Sequence, residues 1–222
     1  MDFEQARRRM VDMQIEGRGV RDEAVLAAMR EVPRERFVRT GTEELAYEDC
    51  PLAIGEGQTI SQPFIVALMI EAATVRTGAR VLEVGAGSGY ASALLSRIAA
   101  EVYAIERIAS LAHEAQQRFD ALGYSNIHLI VGDGSRGWSE HAPFDAILVA
   151  ASAPEVPPAL LEQLAIGGRL VLPVGSGWGG QRLCRVVRNG MHDYEHSDLG
   201  GVAFVPLIGE QGWDEDGRRG GA

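Results

Sequence analysis

Residues 80–90, Arg-Val-Leu-Glu-Val-Gly-Ala-Gly-Ser-Gly-Tyr, constrain the fold more than any other stretch of this chain. Val81, Leu82 and Val84 read as a short buried strand, broken only by Glu83 near its carboxyl end. Gly85, Gly87 and Gly89 then permit a tight turn and a close approach of backbone to ligand. Residues 91–98 follow with apolar, helical character. Strand, glycine turn and helix in that order form a ligand cradle at the carboxyl edge of a parallel sheet. Spacing narrows the ligand. A dinucleotide fingerprint, G-x-G-x-x-G, needs its third glycine at position 90, where this chain has Tyr90. The pattern is instead E-x-G-x-G-x-G, with a carboxylate two residues before the first glycine.

The segments that follow supply the rest of such a sheet. Residues 101–106 read as a second strand ending in Glu106, seventeen residues beyond Gly89. That is near the spacing at which a carboxylate accepts ribose hydroxyl bonds in βαβ units, and the competing reading is a surface acid at a strand end. Residues 108–122 form a helix closed by Gly123. Residues 127–131 form a third strand that delivers Gly132, Asp133 and Gly134 to the same edge. Asp133 suits either an adenine amino group or plain turn chemistry. His128, inside an apolar run, is expected to be packed. Residues 144–151 and 169–174 give two more strands, with a short helix over 154–164 between them. Asp145 starts its strand at the edge opposite the glycines, where a structural role is expected. Residues 181–188 and 201–208 read as late antiparallel strands. The glycine-rich residues 175–180 are expected to be mobile, and the tail from 214 to 222 disordered.

Ahead of the glycine turn, residues 2–16 and a segment capped by Asp22 read as amphipathic helices. Their arginines, Arg7, Arg8, Arg9, Arg34 and Arg36, are expected on a solvated face. Residues 47–63 contain Gly-Glu-Gly-Gln-Thr-Ile-Ser-Gln-Pro, followed by an apolar helix over 64–73. Ser61 is well placed as its N-cap, with Pro63 in the first turn. A single α/β unit over 1–213 accounts for all of this: a Rossmann-like, doubly wound, mostly parallel sheet, an N-terminal helical extension (1–46), a site loop (47–63), and a core with late antiparallel strands (64–213).

A chain of 222 residues is long enough for one substantial core. Its net charge of −10 disfavours nonspecific nucleic-acid binding, which needs a basic surface. Cys50 and Cys184 form no motif, so reduced thiols are favoured over a single disulfide, and no metal site is expected. The charged N-terminus has no signal-peptide core, and no apolar run reaches membrane-spanning length. A cytoplasmic protein, monomeric and without nucleic-acid or membrane partners, is the expectation.

The glycine pattern resembles motif I of the class I S-adenosylmethionine-dependent methyltransferases, in which the acid lies near the cationic methionine end of the cofactor. The likeness becomes specific when further stretches are added: Val-Pro-Arg-Glu-Arg-Phe-Val at 32–38, the Gln-Thr-Ile-Ser-Gln-Pro run at 58–63, Gly132-Asp133-Gly134, residues 142–147, and Phe-Val-Pro-Leu at 204–207. Together they resemble the protein-L-isoaspartate O-methyltransferase family over about residues 10–207. That resemblance implies methyl transfer from S-adenosylmethionine to the free carboxylate of L-isoaspartyl, and some D-aspartyl, residues of damaged proteins. The product cofactor is S-adenosyl-L-homocysteine. It also implies an active-site role for Ser61, with Gln58, Thr59 and Ile60 on the same cofactor-facing loop. Glu83, Gly85, Gly87, Ser88, Gly89, Glu106, Asp133 and Gly134 fill the remaining cofactor positions. Ile208 departs from the pattern, standing where some relatives carry a threonine. Two rivals stay open on the sequence: a methyltransferase of the same fold acting on a small-molecule or peptide carboxylate, and a non-catalytic cofactor-pocket module.

Overall fold

In the computed structural model, which describes residues 1–175 and 180–216, the chain opens with two capped helices. Asp2 caps α1 (Phe3–Met10), and Asp22 caps α2 (Glu23–Glu31) by accepting from the amides of Ala24 and Val25. Between them the first helix widens into one π turn and a short 3-10 turn, which Gly19 ends in the left-handed conformation. The hairpin of β1 (Leu52–Gly55) and β2 (Gln58–Ile60) comes next. Its turn residues Glu56 and Gly57 both have positive φ, 52° and 69°, as a tight hairpin turn demands. Pro63 then opens α3 (Pro63–Ala73).

The remaining elements alternate strand and helix as far as β5 and are then mostly strands: β3 (Arg80–Val84), α4 (Tyr90–Ser96), β4 (Glu101–Glu106), α5 (Ala109–Leu122), β5 (Ile127–Val131), β6 (Phe144–Val149), α6 (Pro158–Glu162), β7 (Leu164–Val174), β8 (Gln181–Arg188) and β9 (Tyr194–Val202). Among the described residues these strands form one sheet in the order β5-β4-β3-β6-β7-β8-β9. β5 through β7 run parallel, and β8 and β9 are antiparallel additions. The chain moves outward from β3 to β5, then returns to the other side of β3. The carboxyl end of β3 is therefore the point where strand order reverses, the place such sheets put their ligands.

Strand alternation sorts the core into two layers. Val81, Val102, Ala146 and Val171 face one side, where α2 to α5 pack; Leu82, Tyr103, Ile147 and Leu170 face the other, under α6. Glu83 shares the face of Val81, so its carboxylate is carried into the layer beneath α4. Asp145 accepts from the Arg80 amide at 2.8 Å and ties the amino ends of β6 and β3, the structural role expected of it.

Several expectations need correction. Arg34 is fully buried and Arg7 half-buried, whereas Arg8, Arg9 and Arg36 are exposed as expected. His128 is exposed rather than packed, because β5 is an edge strand; it stacks on Tyr103 and reaches Glu101 at 2.6 Å. The last strand is the polar stretch Tyr194–Val202, not 201–208, since an edge strand half in solvent carries no apolar run. Residues 203–208 instead cross the carboxyl edge of the sheet, bridging Ser152. Both cysteines are free. Of the tail, Glu215 pairs with Arg107 at 2.6 Å, and residues 217–222 lie outside the described residues, as do 176–179 of the glycine-rich loop. No helix among the described residues is long and apolar enough to cross a membrane.

Candidate active site

Three segments far apart in sequence meet at the carboxyl end of β3 and enclose a cleft of about 990 Å³, its open mouth included. The glycine turn forms the floor. Gly85 and Ala86 donate to the Ile105 carbonyl at 2.8 and 3.2 Å, which ties the turn to β4. The Gly87 amide donates to Glu106 at 2.8 Å, while the other oxygen of that carboxylate accepts from Ile108 at 2.9 Å. Glu106 is thus buried at the cleft and oriented by backbone; it is not a loose surface acid.

The three glycines do different work. Gly87 has φ 54°, and the tip of Ile54 from the β1–β2 hairpin lies 3.2 Å from where a Cβ would stand, so the hairpin roofs the turn. A Cβ on Gly89 would come within 2.6 Å of the buried Phe119 ring, so this glycine lets α4 approach α5 and does not line the cleft. Gly85 lines the cleft, and a Cβ there would meet Ala150 at an ordinary 3.6 Å.

Glu83 also lines the cleft and is only 2 % exposed. It accepts a hydrogen bond from the Ser92 hydroxyl of α4. Burial raises its pKa to about 8, with the Ser92 bond opposing the rise and the nearby Glu106 carboxylate adding to it. An acid held at such a cost in a ligand-sized cleft calls for a compensating cation. The donor set therefore suits a ligand with a positive centre and ribose hydroxyls better than a pyrophosphate, and S-adenosylmethionine fits that description.

Gln58, Thr59, Ile60 and Ser61 form one wall, with Ser88 beside them. Ser61 does not cap α3. Gln62 holds the N-cap position without a side-chain bond, and among the described residues the Ser61 hydroxyl makes no hydrogen bond, which leaves it available at the cleft. The Ser61 carbonyl accepts from Arg34 at 2.9 Å. Gly134 lines the cleft and packs tightly on Val84. Asp133 does not line it: its carboxylate accepts from the Ser135 amide and hydroxyl at 2.9 and 2.7 Å and from the Glu210 amide at 2.8 Å. In this structure those bonds are turn chemistry, the competing reading.

Sequence reasoning missed Arg34 and the cleft-lining face of Tyr90. The signal for Arg34 was its setting, between the apolar pair Val32-Pro33 and the buried Phe37. The far wall, residues 204–208, is held by Gln181, whose amide donates to the Phe204 carbonyl at 3.0 Å and accepts from its amide at 2.7 Å.

Comparison with known proteins agrees with this geometry. Residues 5–212 match the family model described as Protein-L-isoaspartate(D-aspartate) O-methyltransferase. The chain is 58% identical over 204 residues to protein-L-isoaspartate O-methyltransferase 2 of Pelobacter propionicus, covering 92% of this chain and 91% of the relative. It is 57% identical over 211 residues to protein-L-isoaspartate O-methyltransferase 1 of Rhodopseudomonas palustris, covering 95% and 86%. A solved protein-L-isoaspartate O-methyltransferase superposes with TM-score 0.83 at 29% identity, over 92% of this chain and 67% of that one. A Plasmodium falciparum beta-aspartate methyltransferase solved with S-adenosyl-L-homocysteine gives TM-score 0.79 at 26% identity, over 91% and 98%. On the match to the family model across nearly its whole length, this chain belongs to the protein-L-isoaspartate(D-aspartate) O-methyltransferase family.

Proposed function

We propose that this protein methylates the free α-carboxylate of L-isoaspartyl residues in damaged proteins, with D-aspartyl sites as a second acceptor. One observation carries the reading: the Gln-Thr-Ile-Ser-Gln-Pro loop and the Glu83–Glu106 glycine turn close on one cleft, in a chain that matches this family over residues 5–212.

When bound, S-adenosylmethionine supplies an electrophilic methyl group on a cationic sulfur. Glu83 would face its methionine end and Glu106 its ribose hydroxyls. Gly85, Gly87 and Ser88 would hold it at the glycine turn, Gln58 to Ser61 along the wall, and Gly134 would contact its adenine. Gly89 acts from behind, by packing α4 against α5. Asp133 acts through the strap at residues 209–210 that it holds.

The acceptor needs no base, because a carboxylate, with an ordinary pKa near about 4, is already ionised at neutral pH. What the chain must add is alignment and exclusion of water. Ser61 is placed to align the acceptor. Its hydroxyl is uncommitted and half-buried at the cleft wall, where it can donate to the substrate carboxylate without becoming a covalent nucleophile. The resulting ester is open to attack by the neighbouring backbone nitrogen. Closure breaks the ester C–O bond, releases methanol with the amide proton and gives a succinimide, and hydrolysis of that ring returns part of the damaged residue to normal aspartate.

The test is transfer of labelled methyl from S-adenosylmethionine to matched isoaspartyl, D-aspartyl and L-aspartyl peptides. Base-labile label on the first two and none on the third is expected. Equal labelling of the L-aspartyl peptide, or none at all, would refute the assignment. In the same assay Ser61→Ala should lose about 1–3 kcal/mol of transition-state stabilisation, roughly 5- to 150-fold in rate, the scale of one charge-assisted hydrogen bond. A variant with the wild-type rate and peptide affinity would remove Ser61 from the mechanism.

A further inference from the structure

Arg34 is a charged side chain with no exposed surface, and it sits directly behind the wall of the cleft. Its Nε donates to the Ala46 carbonyl at 2.7 Å and one Nη to the Ser61 carbonyl at 2.9 Å. The other Nη is buried without a partner. The guanidinium carbon lies 4.8 Å from the centroid of the Tyr90 ring. Ser61 and Tyr90 both line the cleft, so a single layer of protein separates the cation from the cleft.

No carboxylate among the described residues forms an ion pair with Arg34. Its sequence neighbour Glu35 is engaged by the Tyr47 hydroxyl and lies 4.0 Å from Arg7. Burial lowers the Arg34 pKa, as desolvation of a cation must, yet a guanidinium stays charged at any working pH. A buried charge held by two carbonyls and the Tyr90 side chain, with no carboxylate, is a poor choice for structural glue, since a neutral donor would join Ala46 to Ser61 without the desolvation cost. The arrangement makes sense if the counterion arrives with the ligand.

We propose that Arg34 is a positioning residue for the substrate carboxylate, resting on the activity proposed above. Its Nη holds the Ser61 carbonyl oxygen turned toward Arg34, so that the oxygen does not repel an incoming anion. Its unpaired charge supplies a positive field through a low-dielectric wall, where screening by salt is weak. The field acts on a carboxylate but not on a neutral group of the same shape. That difference separates this role from simple packing.

The experiment uses the full chain saturated with S-adenosyl-L-homocysteine and measures calorimetric affinity for two peptides, one isoaspartyl and one carrying the amide isostere at the same carboxyl group. Wild-type protein should prefer the acid. Arg34→Gln should weaken the acid by about tenfold or more, the scale of a lost charge-assisted interaction, with the amide peptide and S-adenosyl-L-homocysteine affinities unchanged. Parallel loss for acid and amide, or weakened S-adenosyl-L-homocysteine binding, would reduce Arg34 to a structural tie and overturn the proposal. Arg34→Lys keeps the charge and loses the fork, so it serves if the glutamine variant does not fold: a retained preference for the acid supports the field, and an abolished one overturns it. Wild-type protein that neither binds nor methylates the acid peptide overturns the substrate reading, and the Arg34 role with it.

Discussion

Gly89→Ala is expected to cost about 2–5 kcal/mol of folding stability, combining a left-handed backbone penalty of about 1–2 kcal/mol with about 1–3 kcal/mol of overpacking. The residue has φ 89°, and its added methyl would stand 2.6 Å from two ring carbons of Phe119 and 3.3 Å from Ala115. Phe119 has no room to yield, being fully buried with its ring edge against Tyr124. Gly85→Ala provides the contrast. It shares a positive φ, 87°, but its methyl would make only ordinary contact with Ala150, so the backbone penalty of about 1–2 kcal/mol stands alone. Urea unfolding of both variants measures the difference. Combining Gly89→Ala with Phe119→Leu should recover part of the loss, since the two side chains compete for one volume. Equal destabilisation by the two alanines would mean that Gly89 serves only its backbone angle and that the α4–α5 approach does not depend on it.

That contrast also marks where sequence reading reaches its limit. The three glycines could be seen as a motif, and the parallel strands around them followed from apolar runs bounded by turn residues. Which glycine opens space for a ligand and which lets two helices touch is a tertiary fact, set by Phe119 thirty residues away. The pairing of Glu83 with Ser92 was hidden for a related reason. A strand residue and a helix residue nine apart meet only once α4 has folded back over β3. Ser61 illustrates the converse error. Local rules favoured a cap, but the hairpin delivers the chain so that Gln62 takes that position, and the hydroxyl stays free.

The edges of the sheet were harder to read than its middle. β3, β4 and β6 are buried on both faces, so their composition announces them. β9 is an edge strand whose first five residues are Tyr, Glu, His, Ser and Asp, and its aliphatics Leu199 and Val202 are split by two glycines, so no apolar run distinguishes it from loop. Arg34 was misplaced by the same logic in reverse. Charge within Arg-Glu-Arg suggests solvent, and only the 3-10 turn after Pro33 sends Arg36 outward while burying Arg34.

Glu83 yields the most far-reaching pH prediction. In the unfolded chain it gives up its proton near 4.5, whereas in the fold it keeps it to about 8. Between those values the native state binds more protons than the unfolded one, so this residue's contribution to stability falls as pH rises, by at most about 1.4 kcal/mol per pH unit. Glu83→Gln is neutral at every pH and nearly the same shape, and it can keep a bond to Ser92. Its stability should exceed that of the wild type toward pH 8 and vary less across pH 5–8, as measured by urea midpoints at fixed ionic strength. A wild-type profile no steeper than the variant's would contradict the burial argument. A cation bound in the cleft reverses the preference, because it favours the carboxylate. S-adenosylmethionine should therefore expel a proton on binding near neutral pH, and its affinity should climb toward pH 8 by up to about tenfold per unit before levelling. For Glu83→Gln that affinity should be weaker and flat. Calorimetry in two buffers of different ionisation enthalpy counts the proton directly. Release of none at pH 7 would mean that Glu83 meets the cofactor as a neutral acid, contributing a hydrogen bond and not a counter-charge.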